Sequence, residues 1–361
     1  MSMADEARYK PSASRKKKKS GGSGKGKRYS DSPGAGSSKI SNLIVIISVI
    51  VLVGCMVVLG IHFYQIYEAK QTHNNLKVIY KKASSVQLDD LDIIDDRKDE
   101  TEPPPAQSSD KNGDESQKPE TPREPLKVLP AAAELLTINP DSAGYLSIPG
   151  IIDEAVVQAQ NNDYYLTHNF YQNERQCGTV FADYRNVVND YPDKMSDNII
   201  LYGHNQKDGT MFGNMDYYRY DYGYWLKNPF IYFNTNYEEG VYVIVSSFVT
   251  NTDPNDDNGN VFDYWNYINF NSKKTFEEFS KEITERSTII TGVDINENDK
   301  FLTLSTCSTE WDSARHAIIA RKLRSGETTD SIDITGFSKN PNPKWPAIYY
   351  KYNGGSYTPT A

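Results

Sequence analysis

The hydrophobic pattern of the chain changes abruptly after a polar N-terminal segment. From Leu43 to Ile61, nineteen consecutive positions carry no charge, and most are Leu, Ile or Val. A helix rises about 1.5 Å per residue, so this run would span about 28 Å, close to the hydrocarbon thickness of a bilayer. His62, Phe63, Tyr64 and Tyr67 follow and suit the membrane interface. We therefore predict a membrane-spanning helix over residues 43–64.

A polar segment separates this run from the rest of the chain. Residues 65–83 have the composition of a helical stalk that continues the span. Residues 84–125 hold thirteen Asp or Glu, five Lys or Arg, six prolines and almost no aromatic residues. Such a segment cannot bury enough apolar surface to offset the entropy of ordering it. We interpret residues 65–125 as a stalk followed by an extended acidic linker that holds a domain away from the membrane.

Short apolar runs bounded by turn residues dominate the chain from Leu126 onward, and they predict strands. The runs are EAVVQA, GTVFADY, NIILYGH, FIYFNT, GVYVIVSSFV, KFLTLST and HAIIARK. Two helices interrupt them: a short one in PAAAELLTI, and an amphipathic one over residues 273–287 with Phe276, Phe279 and Ile283 on one face. We predict one all-β domain with added helices over residues 126–361, and closing its sheet into a barrel would remove the open edges.

The charge distribution supports a membrane orientation. Residues 1–42 carry eleven Lys or Arg against three Asp or Glu, a net charge of +8, so the remainder of this −9 chain carries −17. Basic flanks stay on the cytoplasmic side, which would leave the large acidic part facing outward. A cleaved signal peptide is the alternative, but its apolar run is usually about 7–15 residues. The acidic body argues against a general nucleic-acid binder.

The three cysteines are too few for a disulfide framework. Cys55 lies in the apolar span, which leaves Cys177 and Cys307 in the outward part. Cys307 ends a predicted strand in a Ser/Thr-rich turn, where a side chain faces outward. A structural cysteine more often lies inside an apolar run, so Cys307 is a candidate nucleophile.

A cysteine nucleophile needs a proton donor and acceptor nearby, and the chain has five histidines. His62 and His73 lie at the membrane edge and on the stalk, and His316 lies inside an apolar strand. His204 directly follows a buried strand and opens a polar loop, which makes it the favoured candidate, with His168 as the competitor.

An arginine would supply a fixed positive charge for a developing oxyanion. Arg315 follows Cys307 by eight positions and begins the next apolar run. Arg321 and Arg324 are alternatives further along the same strand. A lone arginine is more often a solvated surface charge, so the choice needs more than its position.

The combination of YGHN-x-KDGTMF, then TLSTC, then an arginine eight positions later resembles a class B sortase. The resemblance covers roughly residues 131–323. It implies a closed eight-stranded barrel with an extra N-terminal helix and a helix before the cysteine strand. It also implies that Cys307 is the nucleophile, that His204 is the proton donor and acceptor, and that Arg315 stabilises the oxyanion, in place of His168 and Arg321.

The resemblance further implies a transpeptidase on the outer face of a Gram-positive-type cell. It would cleave a sorting signal of surface proteins, of the NPxTN or xPxTG type, after its threonine and join the acyl group to a cell-wall peptide amine. The implied peptide-binding residues are Asn162, Leu166, Tyr202 and Ser305. No cofactor and no metal are implied, and the sequence holds no HExxH, CxxC pair or calcium loop.

The sequence leaves two alternative functions open. A plain cysteine peptidase would share the first half-reaction of a transpeptidase, and an anchored binding module would need no nucleophile. The acidic stretch over residues 252–260 is interpreted as a solvated loop. The tail after Leu323 is longer than barrel closure needs, so it either packs across the barrel or trails away from it.

Overall fold

The computed structural model describes residues 36–91, 123–258 and 261–355. The helices are α1 (Gly36–Leu91), α2 (Pro130–Ile138), α3 (Tyr217–Tyr220), α4 (Tyr222–Lys227), α5 (Lys273–Arg286) and α6 (Ala347–Asn353). The strands are β1 (Ser142–Ile148), β2 (Ile152–Val157), β3 (Val180–Ala182), β4 (Asn198–Tyr202), β5 (Phe230–Thr235), β6 (Val241–Asn251), β7 (Ile289–Ile290), β8 (Phe301–Cys307), β9 (Ala314–Lys322) and β10 (Ser338–Lys339).

Eight strands close into a barrel in the order β1-β2-β3-β4-β8-β9-β6-β5, which confirms the predicted architecture. The β2–β3 and β4–β8 pairs are parallel, and the other neighbours are antiparallel. Each of the seven predicted apolar runs overlaps a barrel strand. The eighth, β1, lies in SAGYLSI, a stretch that the pattern marks mainly by the turn that follows it.

Helix α5 confirms the predicted amphipathic helix before the cysteine strand. Ser272 caps its N-terminus by accepting a hydrogen bond from the Thr275 amide. Its apolar face buries Phe276, Phe279 and Ile283 against the barrel core. Strand β8 is buried at every position except its last, because both of its faces are covered. That last residue is Cys307.

The chain divides into two compact units, residues 1–60 and 61–361. In the first unit, the large apolar side chains over residues 43–59 are exposed, and α1 is the one helix in the described ranges that is long and apolar enough to cross a membrane. Most of the predicted basic tail, residues 1–35, lies outside the described residues, as does the linker over residues 92–122.

The residues of the predicted helical stalk, 65–83, are helical and pack on the barrel within the second unit. Leu76 and Tyr80 of α1 are buried, and the Tyr80 ring stacks on that of Tyr145 at 3.8 Å. Lys77 and Lys81 form ion pairs with Asp153 at 2.7 and 2.8 Å. The helix also continues to Leu91, into the predicted linker. The face of α1 that contacts the barrel is narrow, because it consists of two apolar side chains one helical turn apart. The mostly polar composition of the stalk therefore gives little sign of this contact.

The C-terminal extension packs across the barrel over residues 338–353. Strand β10 pairs with β7, and α6 buries Ile348. In the acidic stretch that the sequence presented as solvated, residues 254–256 are exposed, but Asp257 is only 1% exposed. Its carboxylate accepts a hydrogen bond from the Ala347 amide of this extension.

Candidate active site

Cys307 and Arg315 are a cross-strand pair. Strands β8 and β9 are antiparallel, and their register sets Cys307 directly opposite Arg315. Directly opposed residues project from the same face with Cβ atoms about 4.5–5.5 Å apart. The Cys307 thiol is exposed, and the half-buried Arg315 donates one hydrogen bond, from Nη1 to the Ala314 carbonyl at 2.9 Å. The β8–β9 turn therefore sets a guanidinium beside a thiol.

The end of β4 brings His204 to the same edge of the barrel. Strands β4 and β8 are parallel, with Tyr202 opposite Ser305. The chains stay side by side beyond that point, because the Gly203 amide donates to the Ser305 carbonyl at 3.3 Å. His204 lies two residues past Tyr202, and Cys307 two past Ser305. The parallel register therefore carries both side chains off neighbouring strand ends.

A carbonyl orients the His204 ring. Its Nε2 lies 2.9 Å from the Leu166 carbonyl oxygen. Since a carbonyl only accepts hydrogen bonds, Nε2 carries the proton, and Nδ1 is the nitrogen left to exchange one. Gly178, at φ 62°, makes this segment fit, because a Cβ there would lie 2.5 Å from the Tyr165 oxygen and 2.7 Å from the Leu166 oxygen.

A polar network holds the backbone beside Cys307. The Asn205 amide Nδ2 donates to the Cys307 carbonyl at 3.1 Å and to Asp216 at 3.2 Å. Arg219, whose side chain is 4% exposed, pairs with Asp216 at 3.0 Å and donates to the Ser308 hydroxyl at 2.6 Å. Sequence reasoning missed Arg219, because nothing in its short local pattern separates it from a surface arginine.

Ser305 and Tyr264 form the floor below the pair. Ser305 is 3% exposed, and its hydroxyl lies 2.6 Å from the Tyr264 hydroxyl. Burial raises the pKa of Tyr264 to about 12, although the Ser305 hydrogen bond and the Arg315 charge act in the opposite direction. The Ser305 side chain is thus already engaged with Tyr264, which the sequence did not single out.

Two of the other predicted peptide-binding residues converge on one buried carboxylate. Asn162 and Tyr202 both donate to Asp183 Oδ2, at 3.1 and 3.0 Å. Burial raises the pKa of Asp183, but hydrogen bonds from Arg185 outweigh it and hold the pKa below its usual value. The Leu166 side chain is 38% exposed, and its carbonyl is the one that faces His204. Asp183 therefore fixes the orientation of one side of the site.

The competing histidines are engaged elsewhere. The His168 ring stacks on Tyr164 at 4.0 Å, and its Nδ1 lies 2.8 Å from the Tyr164 carbonyl oxygen. His316 is fully buried, with Nε2 2.8 Å from the Ser247 hydroxyl, and burial holds its pKa well below the usual value.

The competing arginines both form ion pairs with carboxylates. Arg321 is fully buried and lies 2.6 Å from Glu327. Arg324 pairs with Asp294 at 2.6 Å and with Asp299 at 2.7 Å.

Comparison with known proteins gives the family. Residues 146–323 match the model of the sortase domain. The chain is 33% identical over 183 residues to sortase B of Listeria monocytogenes, covering 50% of this chain and 68% of that protein. It is 28% identical over 200 residues to sortase B of Staphylococcus aureus, covering 54% of this chain and 75% of that protein.

A solved structure agrees with this result. A Bacillus anthracis protein described as similar to sortase B superimposes with a TM-score of 0.52 and 25% identity, covering 72% of this chain and 98% of that one. The region that matches the sortase domain, residues 146–323, contains strands β4, β6, β8 and β9. These strands carry or flank Cys307, His204 and Arg315. The chain therefore belongs to the sortase family, among the class B sortases, and is a cysteine transpeptidase.

Proposed function

We propose that this chain cleaves a C-terminal sorting signal of surface proteins after its threonine and joins the acyl group to an amine of a cell-wall peptide. The observation that supports this most directly is the Cys307–Arg315 pair at the barrel edge that also carries His204. The sorting signal is of the NPxTN or xPxTG type, and no cofactor takes part.

Cys307 is the nucleophile of the first half-reaction. The thiol gives its proton to His204, its sulfur attacks the threonine carbonyl carbon, and the oxyanion that forms is stabilised by Arg315. The C–N bond then breaks while His204 gives a proton to the departing amine. The products are a thioacyl enzyme and the released C-terminal fragment.

The second half-reaction reverses these roles. An incoming amine attacks the thioacyl carbonyl, His204 takes a proton from that amine, and the C–S bond breaks as His204 returns the proton to the sulfur and restores the thiol. Water in place of the amine would give hydrolysis, and both outcomes share the same thioacyl enzyme. The difference between a transferase and a peptidase therefore lies in which nucleophile reaches the second step.

The peptide approaches along the side of the site that Asp183 organises. Asn162 and Tyr202 are held there by one carboxylate, and the partly exposed Leu166 side chain adds apolar contact. Ser305 is buried against Tyr264, so we propose that it shapes the floor below the peptide.

The apolar helix sets the location. We propose that residues 43–64 span the cell membrane with residues 1–42 in the cytoplasm, since basic flanks stay inside. Residues 65–125 would then connect the span to the outward catalytic domain over residues 126–361. The part of α1 that packs on the barrel, around Leu76 and Tyr80, would act as part of this catalytic domain.

The test uses the full chain in detergent micelles. Fluorogenic peptides of the NPxTN and xPxTG types are each incubated with and without triglycine, beside Cys307→Ala. Cleavage that the variant lacks, with a triglycine-linked product, supports transfer. Cleavage without an amine product under any acceptor favours a peptidase. A folded chain that cleaves neither peptide type favours an anchored binding module.

A further inference from the structure

The C-terminal extension forms a strap over residues 338–353 that is tied to β7 and α5 and ends against the β8–β9 loop. Asn340 continues the β7–β10 pairing, and its amide Nδ2 donates to the Ser287 carbonyl at 2.7 Å. Lys344 follows, with Nζ 2.6 Å from Glu282 of α5. These contacts fix the direction in which the strap runs toward α6.

The end of the strap meets the loop that joins Cys307 to Arg315. Ile348 of α6 is 4% exposed and packs in a cluster with Trp311, Ala314 and Val249. Trp311 belongs to the β8–β9 loop, residues 308–313, and is 6% exposed. The strap therefore covers the aromatic side chain of the loop between the nucleophile and the arginine.

Trp311 ties this loop to the end of β6 and to the start of β9. Its indole Nε1 donates to Asn251 Oδ1 at 3.2 Å, and its carbonyl accepts from the Ala314 amide at 3.0 Å. The Ala314 carbonyl in turn accepts from the Ser308 amide at 3.0 Å and from Arg315 Nη1 at 2.9 Å. A shift of Trp311 would thus move the residues next to both reacting groups.

A buried carboxylate locks the strap in place. Asp257 accepts a hydrogen bond from the Ala347 amide at the start of α6. Burial raises the pKa of Asp257 because it penalises the charged form. A buried hydrogen bond of this kind is satisfied in only one arrangement of its two partners. It therefore favours one position of α6 over the loop.

We propose that Ile348 is a positioning residue that acts through Trp311 to hold the Cys307–Arg315 loop in its reactive geometry. This rests on the proposed function for its effect on turnover, although the contact itself does not. Small displacements of reacting groups are costly, since about 1 Å can lower a rate about 100-fold. A rigid apolar buttress behind the loop would limit such displacements.

The test compares two buried isoleucines in the full chain in detergent micelles. Ile348→Ala removes the contact with Trp311, whereas Ile283→Ala removes a buried isoleucine of α5 in the main core. Tyr352→Ala, at an exposed position of α6, is the surface control. The measurements are kcat and KM on the sorting peptide, hydrogen exchange over residues 308–314, and the rate of Cys307 alkylation by iodoacetamide.

We expect Ile348→Ala to lower kcat about 10- to 100-fold with little change in KM, and to speed exchange in the loop. Ile283→Ala should lower stability comparably and change kcat less than threefold, and Ile348→Val should recover most of the rate. Equal loss of kcat in both alanine variants, or unchanged exchange over residues 308–314 in Ile348→Ala, would overturn the proposal. If the wild-type chain transfers no peptide, the proposed function fails, while faster exchange and a changed alkylation rate in Ile348→Ala alone still support positioning.

Discussion

Strands β8 and β9 pair along their whole length, yet their two ends carry arginines in opposite situations. At one end, Arg315 faces Cys307 and forms no ion pair within the described residues. At the other end, Arg321 faces Phe301, is fully buried, and is paired with Glu327 at 2.6 Å. Arg321 lies six positions after Arg315, about 20 Å along an extended strand. The charge of Arg321 is neutralised by Glu327 within the fold, whereas the charge of Arg315 is available to a bound substrate.

This difference separates structural from chemical roles on one strand. Arg315 donates a hydrogen bond to the Ala314 carbonyl, and its charge is not paired with a carboxylate in the described residues, so it could stabilise a developing negative charge, as the proposed mechanism requires. The buried pair at the other end is a structural feature, because removing one partner would leave an uncompensated buried charge. Variants at the two ends should therefore fail in different ways.

The largest effect is expected at the nucleophile. Cys307→Ala removes the group that forms the thioacyl bond, so we expect peptide cleavage to fall by about 10⁴-fold or more. Cys177→Ala is the matched control, since Cys177 is also a free cysteine of the second unit. The measurement is the initial rate of fluorogenic peptide cleavage. Retention of a tenth of the rate in Cys307→Ala would remove Cys307 from the mechanism.

The two histidine loops provide the next comparison. His204→Asn should lower kcat by about 10²- to 10⁴-fold, because proton transfer to the departing amine is lost. His168→Asn should change kcat only slightly, since that ring stacks on Tyr164. Steady-state kinetics of both variants decides between them. A larger loss in the His168 variant would exchange their roles.

The two arginines should dissociate activity from stability. Arg315→Ala should lower kcat by about 10²- to 10³-fold, as the loss of an oxyanion donor does, with little change in melting temperature. Arg321→Ala should lower the free energy of unfolding by about 2–3 kcal/mol, because it removes a fully buried side chain and its two charge-assisted hydrogen bonds to Glu327. Below its melting temperature it should keep most of the activity. Thermal unfolding and kcat measured on the same samples test this, and parallel losses in both variants would refute it.

The smallest effect concerns acid stability near the peptide side. The pKa of Asp183 is held below its usual value, so its ionised form contributes stability that is complete above about pH 4 and is lost as the pH falls through the lowered value. Asp183→Asn should cost about 2 kcal/mol at pH 7, because charge-assisted hydrogen bonds are lost. The gap to the wild type should narrow in acid. A gap that is independent of pH in urea unfolding would contradict this assignment.

The barrel strands could be predicted, and the candidate reacting residues could be proposed, because their signals are local. Strand β8 is a continuous apolar run that ends at Cys307, and the run after it begins at Arg315. The resemblance of YGHN and TLSTC to the family then selected His204 from the five histidines. Apolar runs and short motifs each extend over only a few residues, so they can be recognised in the sequence alone.

The remaining features depend on contacts between distant parts of the chain. Arg219 reaches Ser308 across 89 positions, and Tyr264 reaches Ser305 across 41. Neither residue lies in a periodic pattern from which its partner could be predicted. Ile348 lies in a short segment whose apolar positions are equally consistent with a trailing tail. Packing determined these roles, so only the structure could reveal them.

The most direct test is the intact mass of the full chain after incubation with an NPxTN or xPxTG peptide in the absence of an amine. The account predicts an adduct equal to the peptide fragment ending in threonine, less one water, carried by Cys307 and released by triglycine as the transfer product. Arg321→Ala should form the same adduct, and Cys307→Ala none. Transfer product that accumulates with Cys307→Ala, or an adduct located on another residue, would contradict the account.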